Sequence, residues 1–433
     1  MAERVLFKYI DDPKQHQMDT YIRHSGYSAL KKALKEIKPA ELIEMVKKSG
    51  LRGRGGAGFP TGLKWSFVPK NSGKPKYLCV NADESEPGTF KDRQLMEADP
   101  HQVLEGTILA SYAIGCNHAY FYIRGEFVFG HQRMAQAVEE AYQKGFLGKN
   151  ILGSGYDLDV TIVRGGGAYI CGEETGLIES LEGKRAFPRV KPPFPAVSGL
   201  YNCPTVVNNV ETLACVPHIV NRGAEWFASL GPAKSPGTKV VCLSGHVNRP
   251  GNYELEMGTP LRELIYTHGG GILGGRKLKA AIPGGSSVPI LTEKSIDVKL
   301  DFDSVAAAGS LLGCAAVIVM DERTCMVWMA QRLSEFYEHE SCGKCTPCRE
   351  GTFWLVEILS RIEEGKGTMK DLDLLLSICD NIAFKTVCAL ADGAAAPVVS
   401  AIQHFKDEFV AHIEEKRCPW PHRAFDFDGF VQN

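Results

Sequence analysis

The sequence has little that would mark a secreted, membrane-spanning or nucleic-acid-binding protein. Lysine and arginine number 49 against 51 acidic residues, so the net charge of −2 gives the chain as a whole no electrostatic footprint for nucleic acid. The N-terminal stretch Met1–Val5 has no apolar signal core. The longest uncharged run, residues 304–320, is just too short for a membrane span and predicts a buried strand with its approach. We therefore expect a chain that contacts neither nucleic acid nor the membrane directly.

Internal repeats and low-complexity tracts are absent as well, and a length of 433 residues suggests about three domains. Apolar residues make up 44% and charged residues 23%, which is ordinary for a globular protein. The 14 cysteines are scattered along the chain without a signal peptide. This usage favours a reducing compartment, where thiols serve as core residues or metal ligands rather than in disulfides.

The strongest chemical signal is a cysteine trio. Cys342, Cys345 and Cys348 follow Cys-x-x-Cys-x-x-Cys spacing, which lets one tight turn aim three thiols at a single inorganic centre. This spacing fits three corners of a cubane iron–sulfur cluster. Structural zinc, which more often uses two separated ligand pairs, is the alternative. Thr346-Pro347 predicts the N-cap and first residue of a helix over 349–360, whose dipole would favour the thiolates.

A fourth cluster ligand has to come from further along the chain, where Cys379, Cys388 and Cys418 are candidates. Cys388 is preferred because it follows a predicted helix by a short loop and has Lys385 beside it. Cys379 lies inside the apolar run 372–382, which indicates a core position.

A glycine-rich loop near the N-terminus suggests a second site. Gly53, Gly55 and Gly58 match the G-x-G-x-x-G dinucleotide pattern, but a predicted helix over 39–48 precedes them and Phe59-Pro60 follows. Because that pattern requires a strand before it and a helix after it, an ordinary Rossmann fingerprint is disfavoured. Backbone amides of such a loop, flanked by basic side chains, can still cradle a phosphate. A purely structural loop is the alternative.

The next segment alternates strands and helices. Strands are predicted over 76–81, 119–123 and 158–163, and helices over 101–116 and 132–145. Alternation of this kind predicts a βαβ layer with a mainly parallel sheet.

Two loops follow predicted strands at their carboxyl ends, where α/β sheets bind ligands. One is the acidic loop 81–93 and the other is the glycine-rich loop 164–175, which opens a helix. A solvated acidic loop and simple helix N-terminal charges are the alternatives. The stiff stretch Lys191–Pro195 would hold aromatic and basic side chains in a cleft, and the clustered amides of 205–212 suit a flavin.

The C-terminal half differs in pattern. A linker at 231–237 precedes a predicted hairpin, a helix over 261–268 and further strands, which together describe a β-grasp-like domain. Helices are predicted from Arg323 onward, and the aromatic, irregular stretch 416–433 predicts either a partner-docking surface or a frayed terminus.

These patterns predict an α/β protein of four parts. They are an N-terminal helical segment with the glycine-rich loop (1–60), an α/β domain with a mainly parallel sheet (61–230), a β-grasp-like domain (238–322) and a helical bundle with the cysteines (323–433).

Five motifs together resemble the flavin-bearing, NADH-oxidising subunit of respiratory complex I. They are residues 50–65, 81–93, 169–175, 208–212 and 341–349, which occur in the order of that family and span essentially the whole chain. The resemblance implies bound FMN, one [4Fe–4S] cluster, and an atypical Rossmann-like domain followed by a β-grasp (ubiquitin-like) domain and a helical bundle.

The resemblance also implies a set of site residues. FMN would be bound by Gly53, Gly55, Lys64, Asn81, Asp83, Glu84, Tyr169, Asn208, Asn209 and Thr212. NADH would meet the aromatic faces of Phe59, Phe67 and Phe194 and the polar side chains of Glu86, Glu174 and Lys191. The cluster would be bound by Cys342, Cys345, Cys348 and Cys388.

The implied activity is hydride transfer from NADH to FMN, followed by transfer of single electrons to the cluster. No side chain need act as a catalytic acid or base, because the cofactor carries the chemistry. The implied partners are the thioredoxin-like [2Fe–2S] subunit and the large iron–sulfur subunit of the complex, on the cytoplasmic side of the inner membrane. Glu174 is expected to bind the adenosine ribose and to favour NADH over NADPH.

Three alternatives remain at this point. One is a diaphorase subunit of an NAD-linked hydrogenase or formate dehydrogenase, families that resemble this chain closely. Another is a zinc-stabilised interaction module whose glycine loops are only structural. The third is a conventional dehydrogenase, which the missing strand before the G-x-G-x-x-G match disfavours.

Overall fold

The computed structural model describes residues 3–420. The larger part of the predicted irregular tail, residues 421–433, lies outside the described residues. Within the described range, every helix is too short or too polar to cross a bilayer.

The N-terminal segment is helical, as predicted. It contains α1 (Met18–Arg23), α2 (Ser28–Glu36) and α3 (Pro39–Lys48), and α4 (Thr61–Ser66) follows directly after it. The predicted helix over 39–48 is confirmed residue for residue, with Pro39 at its first position and a capping box in which Glu41 accepts from the Lys38 backbone N–H at 3.0 Å. The first glycine-rich loop connects α3 to α4.

The first sheet is fully parallel and has four strands. Its strands are β1 (Tyr77–Ala82), β2 (His118–Ile123), β3 (Asp159–Arg164) and β4 (Thr205–Asn209), in the spatial order β3-β2-β1-β4. The helices around it are α5 (Lys91–Ala98), α6 (Pro100–Ile114), α7 (Val128–Gln143), α8 (Glu174–Leu181), α9 (Val210–Ala214), α10 (Val216–Arg222) and α11 (Ala224–Ala228). The predicted α/β alternation is confirmed.

Helix α6 forms the centre of this layer, and nearly all of its residues are buried, including the polar side chains of His101, Gln102 and Glu105. At Gly106 the helix touches the chain beyond β4 so closely that an added Cβ would lie 2.0 Å from the Leu213 carbonyl oxygen. Glycine is therefore required there for α6 to pack against α9.

The second sheet is mixed and has five strands. Its elements are β5 (Thr238–Gly245), β6 (Gly251–Glu256), α12 (Leu261–Glu263) continuing as a π-helical turn (Leu264–His268), β7 (Leu278–Ile282), β8 (Leu291–Thr292), α13 (Phe302–Ala307) and β9 (Ala316–Asp321). The order is β6-β5-β9-β7-β8, with β5 and β9 parallel and the other pairs antiparallel. A hairpin, a helix and a parallel central pair make up the predicted β-grasp fold.

The uncharged run 304–320 is only partly a strand. Its first residues lie in α13, and the strand β9 starts at Ala316. The sequence predicted a strand and its approach for this run, and the approach contains a helix. This helix begins there because Asp301 caps it by accepting from the Ser304 backbone N–H at 2.8 Å.

The C-terminal part is a four-helix bundle. It consists of α14 (Met326–Glu340), α15 (Thr346–Glu363), α16 (Met369–Ile382) and α17 (Leu390–Glu415), which share one apolar core. The predicted cap of α15 was wrong by one position: Cys345 is the N-cap residue and the helix already begins at Thr346. Pro347 lies in the first turn, where its missing N–H costs nothing.

A buried ion cluster joins the first two sheets. The Glu211 carboxylate lies 2.6 Å from the Lys239 Nζ on β5 and 2.9 Å from the Lys91 Nζ on α5, and it also accepts from the Val240 backbone N–H at 2.9 Å. Asp92 is the second anion, 2.9 Å from Lys91. Burial would raise the pKa of Glu211, but Lys239 and Lys91 together hold it below its ordinary value. The two lysines and two carboxylates therefore compensate one another inside the protein.

Glu211→Gln is expected to destabilise the protein by about 3–5 kcal/mol, because it leaves two buried ammonium groups with one carboxylate. The measurement is urea denaturation followed by tryptophan fluorescence. Glu364→Gln is the control, since Glu364 pairs with Lys366 on the exposed surface and should unfold at the wild-type urea concentration. A Glu211→Gln midpoint equal to that of the control would contradict this account of the buried cluster.

Candidate functional site

The carboxyl ends of β1 and β4 bring the predicted amide side chains together. Asn81 is paired in register with Asn209, and Val80 with Asn208. The Asn208 side chain accepts from Trp65 Nε1 at 2.8 Å, and the Asn81 amide donates to the Gly172 carbonyl at 2.9 Å. These two bonds attach α4 and the second glycine-rich loop to the sheet edge.

The first glycine-rich loop lies against this edge. An added Cβ on Gly55 would come within 2.9 Å of Asn209 Cβ, so only glycine allows the contact. The Arg54 backbone N–H donates to Thr212 Oγ1 at 2.8 Å, which ties the loop to the first turn of α9. An added Cβ on Gly56 would meet no atom within 4 Å, so the loop backbone there faces open space. The loop thus reaches the end of a parallel strand without being preceded by one.

Two of the acidic residues after β1 have distinct environments. Glu84 accepts from the backbone N–H groups of Asp92 at 2.8 Å and Arg93 at 3.0 Å, so it satisfies the first turn of α5. Asp83 is buried, and its Oδ2 accepts from Ser85 Oγ at 3.2 Å. Burial raises the pKa of Asp83 to about 7. Asp83 Oδ1 is buried without a protein partner among the described residues, so it offers an acceptor to a ligand.

Glu86 joins three parts of the protein. Its carboxylate accepts from the Tyr169 hydroxyl at 2.6 Å and from the Ser287 backbone N–H in the second sheet at 2.8 Å. The Tyr169 backbone N–H in turn donates to Glu340 at the end of α14, at 2.9 Å. One set of connected hydrogen bonds therefore links the end of β1 to the second glycine-rich loop, the β-grasp domain and the helical bundle.

The start of α8 carries a compact ionic group. Lys64 Nζ lies 2.8 Å and Lys191 Nζ 2.9 Å from the Glu174 carboxylate, and Lys191 also lies 3.0 Å from Glu173. Burial would raise the pKa of Glu174, but Lys64 and Lys191 outweigh it and lower the pKa to about 2. Glu173 is the N-cap of α8 and accepts from the Thr175 and Gly176 N–H groups. Two carboxylates and two ammonium groups thus face each other with no net charge.

Three predicted aromatic residues remain open to solvent. Phe59, Phe67 and Phe194 are 44%, 51% and 58% exposed, and the rings of the first two lie 6.1 Å apart. Because Lys64 and Lys191 both bind Glu174, the segments that carry these rings approach the start of α8 together. Exposed aromatic faces beside a polar strand end are suited to stacking on a planar ligand.

The four predicted cluster cysteines converge between α14, α15 and the loop before α17. Cys345 Sγ accepts from the Val387 backbone N–H at 3.4 Å, which brings the neighbouring Cys388 to the trio. Burial raises the pKa of Cys388 to about 11, and the nearby Cys342 and Cys348 thiols act in the same direction. The Tyr169 backbone N–H donates to Glu340, two residues before Cys342, so the cysteine trio begins beside the second glycine-rich loop.

The other two candidates for the fourth ligand lie elsewhere. Cys379 is buried in α16, as predicted for a core residue, and burial raises the pKa of its thiol to about 12. Cys418 follows α17 and lies with Cys325, Glu363 and His412, whose ligand atoms are all within 4.8 Å of one another. No spacing in the sequence pointed to this second group.

The residues fit both implied groups. Asp83 Oδ1 without a protein partner, the open backbone at Gly56 and the amides at the sheet edge offer acceptors and donors for a flavin mononucleotide. Four converging thiols, with a backbone N–H directed at one sulfur, are the donor set of a cubane cluster. Binding of such a cluster would displace protons from these thiols.

Some contacts of the site could not be read from local sequence. Arg54 is completely buried, and its guanidinium donates to the Pro236 carbonyl at 2.8 Å in the linker before β5. Lys344 Nζ donates to the Pro188 carbonyl at 2.7 Å, which joins the cysteine loop to the segment after α8. Both contacts connect residues more than 150 positions apart. The only local feature that marked Arg54 and Lys344 in the sequence is that each basic residue stands next to a glycine.

Three family models match the chain. They are the Nuo51 FMN-binding domain over residues 46–218, the SLBB domain over 240–291 and the NADH-ubiquinone oxidoreductase-F iron-sulfur binding region over 328–412. The last match includes all four predicted cluster cysteines.

Relatives match over nearly the whole chain. F subunit 2 of the NADH-quinone oxidoreductase of Rhizobium meliloti is 61% identical, covering 97% of this chain and 100% of that protein. The F subunit of the Mycobacterium bovis enzyme is 56% identical, covering 97% and 95%. A crystal structure of NAD+-reducing [NiFe]-hydrogenase in the H2-reduced state has a chain that is 36% identical, with a TM-score of 0.83, covering 93% of this chain and 67% of that one. By these matches, the chain belongs to the family of F subunits of NADH-quinone oxidoreductases.

Proposed function

We propose that this chain is the electron-input subunit of an NADH:quinone oxidoreductase, in which it oxidises NADH and passes the electrons on through an iron–sulfur cluster. The observation that carries the proposal is that Cys345 contacts the loop of Cys388, and the adjoining helix contacts the second glycine-rich loop, in a chain of this family. Bound FMN supplies a two-electron acceptor for the hydride of NADH that can return the electrons one at a time to a [4Fe–4S] cluster.

We assign FMN binding to the edge formed by β1 and β4. The unpaired Oδ1 of Asp83 can accept from a flavin N–H or a ribityl hydroxyl, and Asn208 and Asn209 present amides at the same edge. Glu84 fixes the start of α5 beside this site, because its carboxylate accepts from two backbone N–H groups in the first turn of that helix. Thr212 likewise positions the loop by accepting from Arg54.

The nucleotide side is assigned to the start of α8. Exposed Phe59, Phe67 and Phe194 can stack on the adenine, and their hydrophobic faces help to exclude water from it. Glu174 can accept from ribose hydroxyls while Lys64 and Lys191 keep it ionised. These residues bind and orient the nucleotide, and none needs to move a proton.

The cluster is assigned to Cys342, Cys345, Cys348 and Cys388. Support comes from the two contacts that fasten the cysteine loop to the flavin side, which are Lys344 to the Pro188 carbonyl and Tyr169 to Glu340. Because one contact reaches the segment after α8 and the other reaches the second glycine-rich loop, a cluster bound by these cysteines would lie close to the proposed flavin site. Electron transfer then needs no movement of a domain.

The electrons leave to partner subunits in this proposal. The relatives are F subunits of NADH-quinone oxidoreductases, so each is one part of a larger enzyme. We propose a thioredoxin-like [2Fe–2S] subunit and the large iron–sulfur subunit as partners, on the cytoplasmic side of the inner membrane. A diaphorase role in a hydrogenase is less favoured, since identity is 36% to the hydrogenase chain and 61% to the Rhizobium protein.

The chain purified alone, with FMN and its cluster, is expected to reduce ferricyanide with NADH but to reduce a quinone poorly, because the partner clusters that lead to the quinone are missing. The measurement is the NADH oxidation rate with each acceptor. Efficient quinone reduction by the isolated chain, sensitive to inhibitors of the quinone site, would contradict the relay role.

Cys388→Ala is expected to lose the iron–sulfur signal and most of the bound iron while FMN stays bound, because the proposed flavin residues lie in another domain. Cys379→Ala is the matched control, a cysteine of the same bundle that is buried in the core and should leave the iron content unchanged. The measurement is the iron and FMN content of both purified variants. Iron retained in Cys388→Ala and lost in Cys379→Ala would reverse the assignment.

Glu174→Gln is expected to narrow the preference for NADH by improving NADPH use. A carboxylate about 4 Å from the 2′-phosphate would repel it by roughly 4 kcal/mol at an effective dielectric near 20. Lys64 and Lys191 compensate the charge of Glu174, so the expected repulsion is about a quarter of that energy, or about 1 kcal/mol. This energy corresponds to a change of about fivefold in the ratio of kcat/KM for NADH to kcat/KM for NADPH.

The measurement is the ratio of kcat/KM for the two nucleotides. Glu179→Gln is the control, because it removes the same charge further along α8, where Glu179 pairs with Arg189. A ratio unchanged in Glu174→Gln would remove that residue from the specificity role. If Glu173→Gln then changed the ratio, the ribose contact would belong to Glu173.

A further inference from the structure

A second group of metal-ligating side chains lies in the helical bundle, away from the four cluster cysteines. Cys325 precedes α14, Glu363 ends α15, His412 lies in the last turn of α17 and Cys418 follows that helix. One ligand atom from each lies within 4.8 Å of the others. We propose that these four side chains bind one zinc ion in a structural site.

The distances match the edges of a small tetrahedron. Cys325 Sγ lies 3.3 Å from His412 Nε2 and 3.7 Å from Glu363 Oε2, and His412 Nε2 lies 3.1 Å from Glu363 Oε2. Zinc bonds of about 2.3 Å to sulfur and about 2.0–2.1 Å to nitrogen or oxygen give tetrahedral edges of roughly 3.3–3.8 Å. These three distances lie within a few tenths of an ångström of such edges, and Cys418 Sγ, within 4.8 Å of the other three ligand atoms, completes the set.

The imidazole is held in the orientation that metal binding requires. His412 Nδ1 lies 2.6 Å from the Glu408 carbonyl oxygen, so it donates there and leaves the Nε2 lone pair directed at the other three ligands. The Glu408 carboxylate is itself held by the Met326 backbone N–H at 3.0 Å and by Lys279 Nζ at 2.5 Å. The Trp420 ring stacks on the imidazole with its centroid 5.7 Å away. A supporting layer of this kind is typical of metal-binding histidines.

Burial and ligand type favour zinc over other ions. Cys325, Glu363 and His412 are each at most 4% exposed, and Cys418 is partly buried. Two thiolates, one imidazole and one carboxylate suit a borderline-soft ion with no geometric demand, whereas Mg²⁺ and Ca²⁺ require mostly oxygen ligands. With four protein ligands the site is closed, as in structural zinc sites.

This site is separate from the iron–sulfur site. The trio lies at the start of α15 and Glu363 at its end, so Cys348 and Glu363 are about 22 Å apart along the helix axis. The proposed ion would link the start of α14, the end of α15 and the end of α17. It would thereby close the bundle at the end opposite the cluster and fix the chain that follows α17.

The test is metal analysis of the chain with its FMN and cluster, purified anaerobically without a metal-affinity tag or chelator. About one zinc ion per chain is expected besides about four iron atoms. X-ray absorption at the zinc edge should show two sulfur neighbours at about 2.3 Å and two nitrogen or oxygen neighbours at about 2.0–2.1 Å. Zinc below about a tenth of an ion per chain, a shell without sulfur, or a Cys325–Cys418 disulfide found by mass spectrometry would overturn the proposal.

Variants assign the ligands. Cys418→Ser and His412→Ala are expected to lower zinc at least fivefold while iron and FMN stay at wild-type content. Cys379→Ser is the matched control in the same bundle, since Cys379 is a core residue outside the group, and it should keep its zinc. Wild-type zinc content in Cys418→Ser would likewise overturn the proposal. If a variant does not fold, the absorption spectrum of the wild-type chain decides by itself.

Discussion

The carboxylate of Glu86 connects the three domains at one place. It accepts from Ser287 of the β-grasp domain and from Tyr169 of the second glycine-rich loop, and the Tyr169 backbone reaches Glu340 of the bundle. These hydrogen bonds connect three domains at the edge where the proposed ligand-binding loops lie. Because one-electron transfer depends steeply on distance, a site that receives hydride and a cluster that receives electrons have to be held in a constant arrangement. A rigid polar junction meets that need better than a mobile linker would.

Two carboxylates near this junction are buried or partly buried, and each is paired with two lysines. Glu211 is balanced by Lys91 and Lys239, and Glu174 by Lys64 and Lys191. Such pairs add little net stability compared with apolar packing, but losing one partner is costly. They therefore specify which surfaces meet. Asp83 differs, since burial raises its pKa to about 7 and one of its oxygens has no partner among the described residues. A buried carboxyl group with an unused acceptor is typical of a ligand-binding residue.

The sequence was sufficient wherever the signal was local. Apolar patterns and turn residues predicted α3, the parallel strands and the β5–β6 hairpin, and the structure places Cys345 of the spaced trio against Val387, next to Cys388. Local patterns did not reveal what a side chain is used for once the chain has folded. Glu84 is an example, because its carboxylate accepts from two backbone N–H groups of α5, a use that no local pattern indicated, and its contact with the flavin stays a prediction.

Groups assembled from distant parts of the chain were the least predictable. Cys325, Glu363, His412 and Cys418 come from four separate segments, so no spacing rule could have grouped them, and Cys418 was considered only as a cluster ligand. The same holds for Arg54, whose buried guanidinium contacts a carbonyl 182 positions away. The bounds of the four predicted parts stay predictions, and so do the individual cofactor contacts, because these contacts form only when the ligand is bound.

The most direct test of the proposed electron relay is to follow both redox groups of the isolated holo chain after anaerobic mixing with NADH. Optical absorbance reports the flavin, and freeze-quench electron paramagnetic resonance reports the cluster. NADH is expected to bleach the flavin band, and a reduced-cluster signal is expected within the same turnover, without any partner protein. Bleaching of the flavin with no change at the cluster, at any time or NADH excess, would contradict the relay.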